Sequence, residues 1–208
     1  MERVTEKLRA LNIQVECFTE PVTEWNKYNL LSNATRFPSV FAFPLQSLIL
    51  CTLFKQRAQT ARGASKPGVT LYERSIETGQ KVFLELYKEK KKITECESNI
   101  LTQLYEILTK TNKIPKSDLV IYLRATPEIC LRNVQKRGEE SDSEISVKYL
   151  EDISKQYERY MEENVQKKKI IMIDREQDDL EKISEEVSKL IALKLFINSG
   201  VDVYNQAP

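Results

Sequence analysis

Apolar positions along the chain recur at two different periods. At 13–18 (IQVECF), 69–73 (VTLYE), 119–124 (LVIYLR) and 170–174 (IIMID) they form short alternating or unbroken runs, the pattern of strands. Between these runs the spacing lengthens to three and four residues. That spacing predicts helices over about 21–34, 40–61, 77–111, 127–137, 146–167 and 179–197, with the long 77–111 segment broken near Lys91-Lys92. The opening MERVTEKLRALN reads as a charged amphipathic helix. Strands alternating with helices predict an α/β fold, a parallel sheet joined by crossover helices. The near-continuous apolar runs at 119–123 and 170–173 suit strands buried on both faces. Residues 64–68 (ASKPG) read as a turn and 138–144 (GEESDSE) as a polar loop between helices, with no repeat and no second domain in residues 1–208.

In a parallel sheet the carboxyl ends of the strands face the ligand crevice. Glu20 stands there, after the first strand and before Pro21, a residue suited to the first turn of a helix. It can act on a ligand, or it can serve as an acid favoured near a helix start. LYERS at 71–75 ends the second strand on Glu73-Arg74, either a structural ion pair or a pair able to take a hydroxyl proton and hold a phosphate. FAFPLQSLILCTLF at 41–54 is too apolar for a surface helix, yet it carries Gln46. A buried glutamine must satisfy two donors and an acceptor, which a nucleobase edge or a neighbouring backbone can do. Phe83, one helix further on, can stack on a base. In 119–153 a strand, a turn at Thr126-Pro127, a helix ending Lys136-Arg137-Gly138, a polar loop and another helix follow in order. Nucleotide kinases mount an arginine-bearing lid over ATP phosphates in this way, here at about 138–145.

Composition narrows the chemistry. Lys+Arg 32 against Asp+Glu 31 leaves a net charge of +1, so no overall field favours a nucleic acid polymer or an anionic membrane. There is no histidine, which removes His-based triads and the common zinc patterns and leaves carboxylates or lysines as general bases. Cys17, Cys51, Cys96 and Cys130 are scattered without a CxxC pair, the usage of an intracellular protein with reduced thiols. No apolar run is expected to reach the ~20 residues of a membrane span.

Taken together, TEPVTEW, the 29–47 segment with FP and FAFPLQS, ERSIETGQKVF at 73–83, and LVIYLRATPEICLRNVQKRG followed by YLEDI resemble the deoxyribonucleoside kinases in order and spacing over about residues 13–175. The resemblance implies a P-loop-kinase-like, three-layer parallel sheet with flanking helices and a lid. It implies an ATP- and Mg²⁺-dependent transfer to the 5′-hydroxyl of a deoxynucleoside, a homodimer formed through helices, and a cytoplasmic or mitochondrial setting. It makes Glu20 the base for that hydroxyl, Arg74 the residue between hydroxyl and phosphate, and Glu73 the acid near Mg²⁺. Trp25 becomes a pocket wall, Gln46 the bidentate base reader, Phe83 the stacking ring and Arg137 a lid arginine.

Several positions depart from the family pattern. Thr35 stands in place of a tyrosine for the sugar 3′-hydroxyl and Asp142 in place of a glutamate. Glu139 replaces a second lid arginine, and the loop to Glu144 holds four acids. Leu53 and Gly79, beside Ile49, replace the arginine and aspartate of members that favour deoxycytidine and purines. The implied substrate is a pyrimidine deoxynucleoside, thymidine at least equal to deoxycytidine. Family members open with an apolar strand and a GxxxxGK[ST] loop. This chain begins near where that loop would end, and Gly63, Gly68, Gly79, Gly138 and Gly200 form no such motif. The expectation is a truncated kinase lacking that strand and loop, or an inactive kinase-fold protein acting as a binding or assembly subunit.

Overall fold

The structure, a computed structural model, describes residues 1–62, 68–111, 114, 116–138, 142, 145–164, 170–175 and 179–199. Each predicted strand forms, shortened by at most two residues. β1 (Val15–Phe18) pairs in parallel with β2 (Val69–Tyr72), in a register running from Val15↔Val69 to Phe18↔Tyr72. β3 (Val120–Arg124) pairs in parallel with β4 (Ile170–Asp174), from Val120↔Ile170 to Arg124↔Asp174. The architecture is thus a helix-rich α/β fold with parallel strands joined by helical crossovers, the ladder resolving into two two-stranded sheets among the described residues.

The chain divides into two compact units, the first drawn from the described residues of 1–19, 65–73 and 175–208, the second from those of 20–64 and 74–174. In the first unit, β1 and β2 are accompanied by α1 (Glu2–Ala10) and α10 (Leu180–Ser199), which pack together. Leu8 of α1 is fully buried, and Arg3 pairs with Glu181 at 3.1 Å. Gly68 is required at the entry to β2, because a Cβ there would lie 2.6 Å from the Gln14 carbonyl oxygen.

The second unit holds most of the helices. The predicted 21–34 helix is two, α2 (Val22–Asn26) and α3 (Leu30–Arg36), because Asn29 takes a left-handed φ of 52°, a conformation asparagine tolerates. α4 (Pro38–Arg62) places Leu45, Ile49 and Leu53 at four-residue intervals on one face, where they pack with Trp25, Ala34 and Ile76. By length and composition residues 38–59 are apolar enough to cross a membrane, contrary to the expectation from sequence. Pro44 and Gln46 interrupt the run without lowering its average enough, and the helix buries Ala42, Leu45, Ile49, Leu50 and Leu53 in the core of this unit.

The predicted 77–111 helix breaks where the lysines stand. α5 (Ile76–Thr78), a π-helical stretch (Gly79–Leu84) and α6 (Glu85–Glu89) run on from one another until Lys91 adopts a φ of 52°. Thr94 and Glu97 then form a reciprocal capping box, the Thr94 amide donating to Glu97 Oε2 at 2.8 Å and the Glu97 amide to Thr94 Oγ1 at 3.2 Å, which starts α7 (Glu95–Thr111). A second core cluster joins Ala42, Leu84, Tyr87, Ile93 and Leu101. α8 (Pro127–Arg137) runs from the Thr126 cap to Gly138, whose φ of 66° suits glycine, and α9 (Val147–Asn164) follows. Within the predicted lid, Glu139, Glu140, Ser141, Ser143 and Glu144 lie outside the described residues.

Leu101 has no exposed surface. Leu101→Ala is expected to lower unfolding stability by about 2–5 kcal/mol in urea titration. A loss below about 1 kcal/mol would contradict this core assignment.

Candidate active site

β1 and β2 end together at the pair Phe18↔Tyr72, and two residues past that pair come Glu20 and Arg74. Arg74 Nη1 donates to Glu20 Oε1 at 3.1 Å; the arginine side chain is 9% exposed and the glutamate 27%. The guanidinium lies 4.0 Å from the Phe83 ring centre and 5.9 Å from the Trp25 ring. Trp25 is itself fixed, buried at 2% exposure with its indole N–H donating to Thr52 Oγ1 at 2.9 Å. Arg74 Nε and Nη2 are buried and have no hydrogen-bond partner. A buried cation with unmade donors is costly, by about 1–3 kcal/mol or more per group, so such groups mark places where a ligand acceptor belongs.

Aromatic residues enclose this pair. Phe83 leaves the π-helical stretch with one face toward Arg74 and meets Tyr157 edge-on at 6.1 Å; Tyr157 stacks on Tyr122 at 5.6 Å. Burial pushes the Tyr87, Tyr149 and Tyr157 phenols above their ordinary value, and the nearby Arg74 charge partly opposes this in all three. Gln46 is 5% exposed, and Ile49 and Leu53 extend the same α4 face toward Trp25. Gly79 is buried, yet a Cβ built on it meets no heavy atom within 4 Å, so open space adjoins it.

The structure therefore brings Glu20, Arg74, Trp25 and Phe83 together, and Gln46 is buried on α4, whose Leu45, Ile49 and Leu53 pack with Trp25. The outer predicted residues stand otherwise. Thr35 is exposed, and its hydroxyl donates to the Leu31 carbonyl at 3.0 Å. Arg137 donates from Nε at 2.8 Å to Asp142 Oδ2, and its Nη2 lies 2.6 Å from the same oxygen, so the lid arginine and the proposed sugar contact satisfy each other. Glu73 is exposed and belongs to the first unit. Among the described residues no group of three or more Cys, Asp and Glu is placed to hold a metal ion. Sequence reasoning missed Tyr87, Tyr149 and Tyr157. Tyr149 and Tyr157 stand eight residues apart on one face of α9, a spacing that signals packing and says nothing of what is packed against.

The sequence profile of the deoxynucleoside kinases matches residues 4–197. The chain belongs to the deoxynucleoside kinase family. It is 27% identical to human mitochondrial thymidine kinase 2 over 150 residues, 71% of this chain and 55% of that protein. It is 29% identical to chicken (Gallus gallus) deoxycytidine kinase 2 over 161 residues, 73% of this chain and 60% of the relative. Rat (Rattus norvegicus) deoxycytidine kinase is 30% identical over 140 residues, 64% and 53%. The chain thus spans little more than half the length of these deoxynucleoside kinases. Parallel strands, helical crossovers and an acid and an arginine past the paired strand ends fit this P-loop kinase fold.

Two stability measurements follow from the geometry. Glu20→Gln leaves a buried, partly unbonded guanidinium without its counter-charge and is expected to cost about 1–3 kcal/mol. Arg74→Met leaves a carboxylate that is a quarter exposed and can hydrate, so it should change stability by less than about 1 kcal/mol. The reverse order in urea titration would contradict the account of Arg74. The raised phenols mean that the folded chain keeps protons that the unfolded chain releases above pH 10.0, the ordinary tyrosine value. Stability is therefore full below that pH and falls above it. A melting temperature that stays flat from pH 9 to about pH 12 would contradict the burial of these rings.

Proposed function

We propose that the protein binds a pyrimidine deoxynucleoside and supplies the acceptor half of an ATP-dependent transfer to its 5′-hydroxyl. The observation that carries this reading is the pair of buried, unbonded Arg74 donors beside Glu20. A sugar hydroxyl placed there can give its proton to Glu20, while Arg74 Nε and Nη2 hold the oxygen on which negative charge grows. Gln46 presents an amide to the base edge, Trp25 and Phe83 wall the pocket, and the space beside Gly79, with Ile49 and Leu53, receives the base. These residues offer no charge to a purine-specific group, and the apolar floor suits the 5-methyl of thymine, which favours thymidine at least equally with deoxycytidine. One methyl is worth only about 1–3 kcal/mol, so both pyrimidines should bind.

The phosphate side differs. The sequence holds no GxxxxGK[ST], Arg137 is neutralised by Asp142, and Glu73 is a single exposed carboxylate. These residues do not by themselves fit ATP and Mg²⁺, the cofactors of the family. An intracellular setting, cytoplasmic or mitochondrial, is where such a nucleoside would be met. Exposed Val40 on α4 and exposed Ile100 and Ile107 on α7 support a homodimer formed through these helices.

Calorimetry with thymidine, deoxycytidine, deoxyguanosine and ATP tests this reading. Both pyrimidine nucleosides are expected to bind more tightly than deoxyguanosine, and ATP least. ATP affinity without pyrimidine affinity would contradict it, and nucleoside binding with no transfer at any ATP concentration would favour an inactive binding subunit. Where transfer to thymidine is measured, Glu20→Gln should lower kcat about 10²–10⁴-fold and leave thymidine affinity nearly unchanged. An unchanged kcat would return Glu20 to a helix-capping role.

A further inference from the structure

We propose that Tyr157 is a positioning residue for Arg74: it braces the Phe83 ring against which the guanidinium lies, and so aims the unbonded Arg74 donors at the 5′-oxygen; this rests on the nucleoside-binding reading above. All the residues concerned belong to the second unit. Arg74 Nη1 donates to Glu20 Oε1 at 3.1 Å, and a single hydrogen bond leaves the guanidinium free to swing about it. The Phe83 ring centre, 4.0 Å from the guanidinium carbon, supplies the surface that limits this swing. Where Nε and Nη2 point thus depends on how Phe83 is turned. Phe83 is half-buried, and it meets Tyr157 with ring centres 6.1 Å apart and planes at 89°, a perpendicular arrangement that aromatic quadrupoles favour.

Tyr157 is itself fixed from two sides. Its backbone belongs to α9, and its ring stacks on Tyr122 of β3, with centres 5.6 Å apart and an interplanar angle of 11°. Tyr122 is tied back to α9, its hydroxyl donating to Glu158 Oε1 at 3.1 Å. Glu158 is the neighbour of Tyr157 in sequence, so strand and helix close on the tyrosine together. The other Glu158 oxygen lies 3.7 Å from Arg124 Nη1, and Arg124 Nη2 donates to Asp174 Oδ2 at 2.9 Å across the β3–β4 ladder. Phe83, Tyr122 and Tyr157 also pack on one cluster of Val82, Tyr160 and Met161. Support therefore runs from the sheet through three rings to the guanidinium. A Phe83 ring free to turn would spread the Arg74 donors over several directions, and misaimed donors lose most of what alignment gives them. Loss of the Tyr157 ring thus reduces the gain from a 5′-oxygen more than it reduces contact with the rest of the nucleoside.

The test compares thymidine with 5′-deoxythymidine, which lacks the 5′-oxygen, by calorimetric binding to the full chain and to Tyr157→Phe, Tyr157→Leu and Tyr122→Leu. Urea titration of each variant checks that the fold is retained. The unmodified chain is expected to bind thymidine about ten- to hundredfold more tightly than the 5′-deoxy analogue, what a hydrogen bond to a charged group is worth. Tyr157→Phe keeps the ring and should hold that ratio within about twofold, whereas Tyr157→Leu should cut it to about threefold or less. Tyr122→Leu should move the ratio the same way. A tyrosine that only fills the core would weaken both ligands equally. A ratio unchanged by Tyr157→Leu, or lost in Tyr157→Phe, overturns the role of the Tyr157 ring alone. If Tyr157→Leu does not fold, an unchanged ratio in Tyr122→Leu overturns that role and a reduced ratio supports it. No binding of thymidine to the unmodified chain, or a ratio already near one there, overturns the functional reading and this inference with it.

Discussion

Arg74 is a cation taken almost wholly out of water and given only one of the bonds it needs. Its charge is met by Glu20 and by the faces of Phe83 and Trp25, and cation–π contacts of this kind are worth about 0.5–2 kcal/mol each. That is enough to tolerate the guanidinium and too little to satisfy Nε and Nη2. The neighbouring structure serves this arrangement. Thr52 ties the Trp25 indole and Tyr157 meets the edge of Phe83. Stability is sacrificed locally, and the unmet donors are where an acceptor atom gains most.

The helix from Ile76 onward shows how local winding sets the site. Ser75 caps its start, its hydroxyl accepting from the Thr78 amide at 3.0 Å, and the π-helical turn follows at once. Such turns interrupt the regular ladder and are common at functional sites. Here the turn carries Phe83 to Arg74 while Val82 and Leu84 on either side remain buried in different clusters. Tyr87 then falls in the α-helical continuation, one turn on, where it meets α4. The lid contrasts with this preorganised half. Its arginine has a carboxylate partner five residues away, and a charged pair that satisfies itself has little drive to recruit a phosphate.

Much of this was legible in the residues. Short alternating or unbroken apolar runs marked the strands to within two residues, and the Lys91-Lys92 break is visible because two adjacent lysines cannot both continue the buried face. Glu20 and Arg74 stood out because they follow the carboxyl ends of two predicted strands, where a parallel sheet opens its ligand crevice. The split at Asn29 was not legible, since a single left-handed asparagine leaves the three- and four-residue spacing intact on both sides. Nor was the exposure of Thr35. Gln46 was recognisable as a buried amide, and it is buried. That α4 is apolar enough on average to cross a membrane was not legible as an unbroken run, because Pro44 and Gln46 interrupt it.

The central claim is that Arg74 waits, half bonded, for an acceptor oxygen. The Nε–H resonance of Arg74, assigned by its loss in Arg74→Met and followed in ¹⁵N-labelled protein, reads this directly. Addition of thymidine or of thymidine 5′-monophosphate is predicted to shift that resonance and slow its exchange with water, because a new hydrogen bond forms at that nitrogen. A resonance that is already protected in the free protein, or that does not respond while the nucleoside binds, would contradict the account.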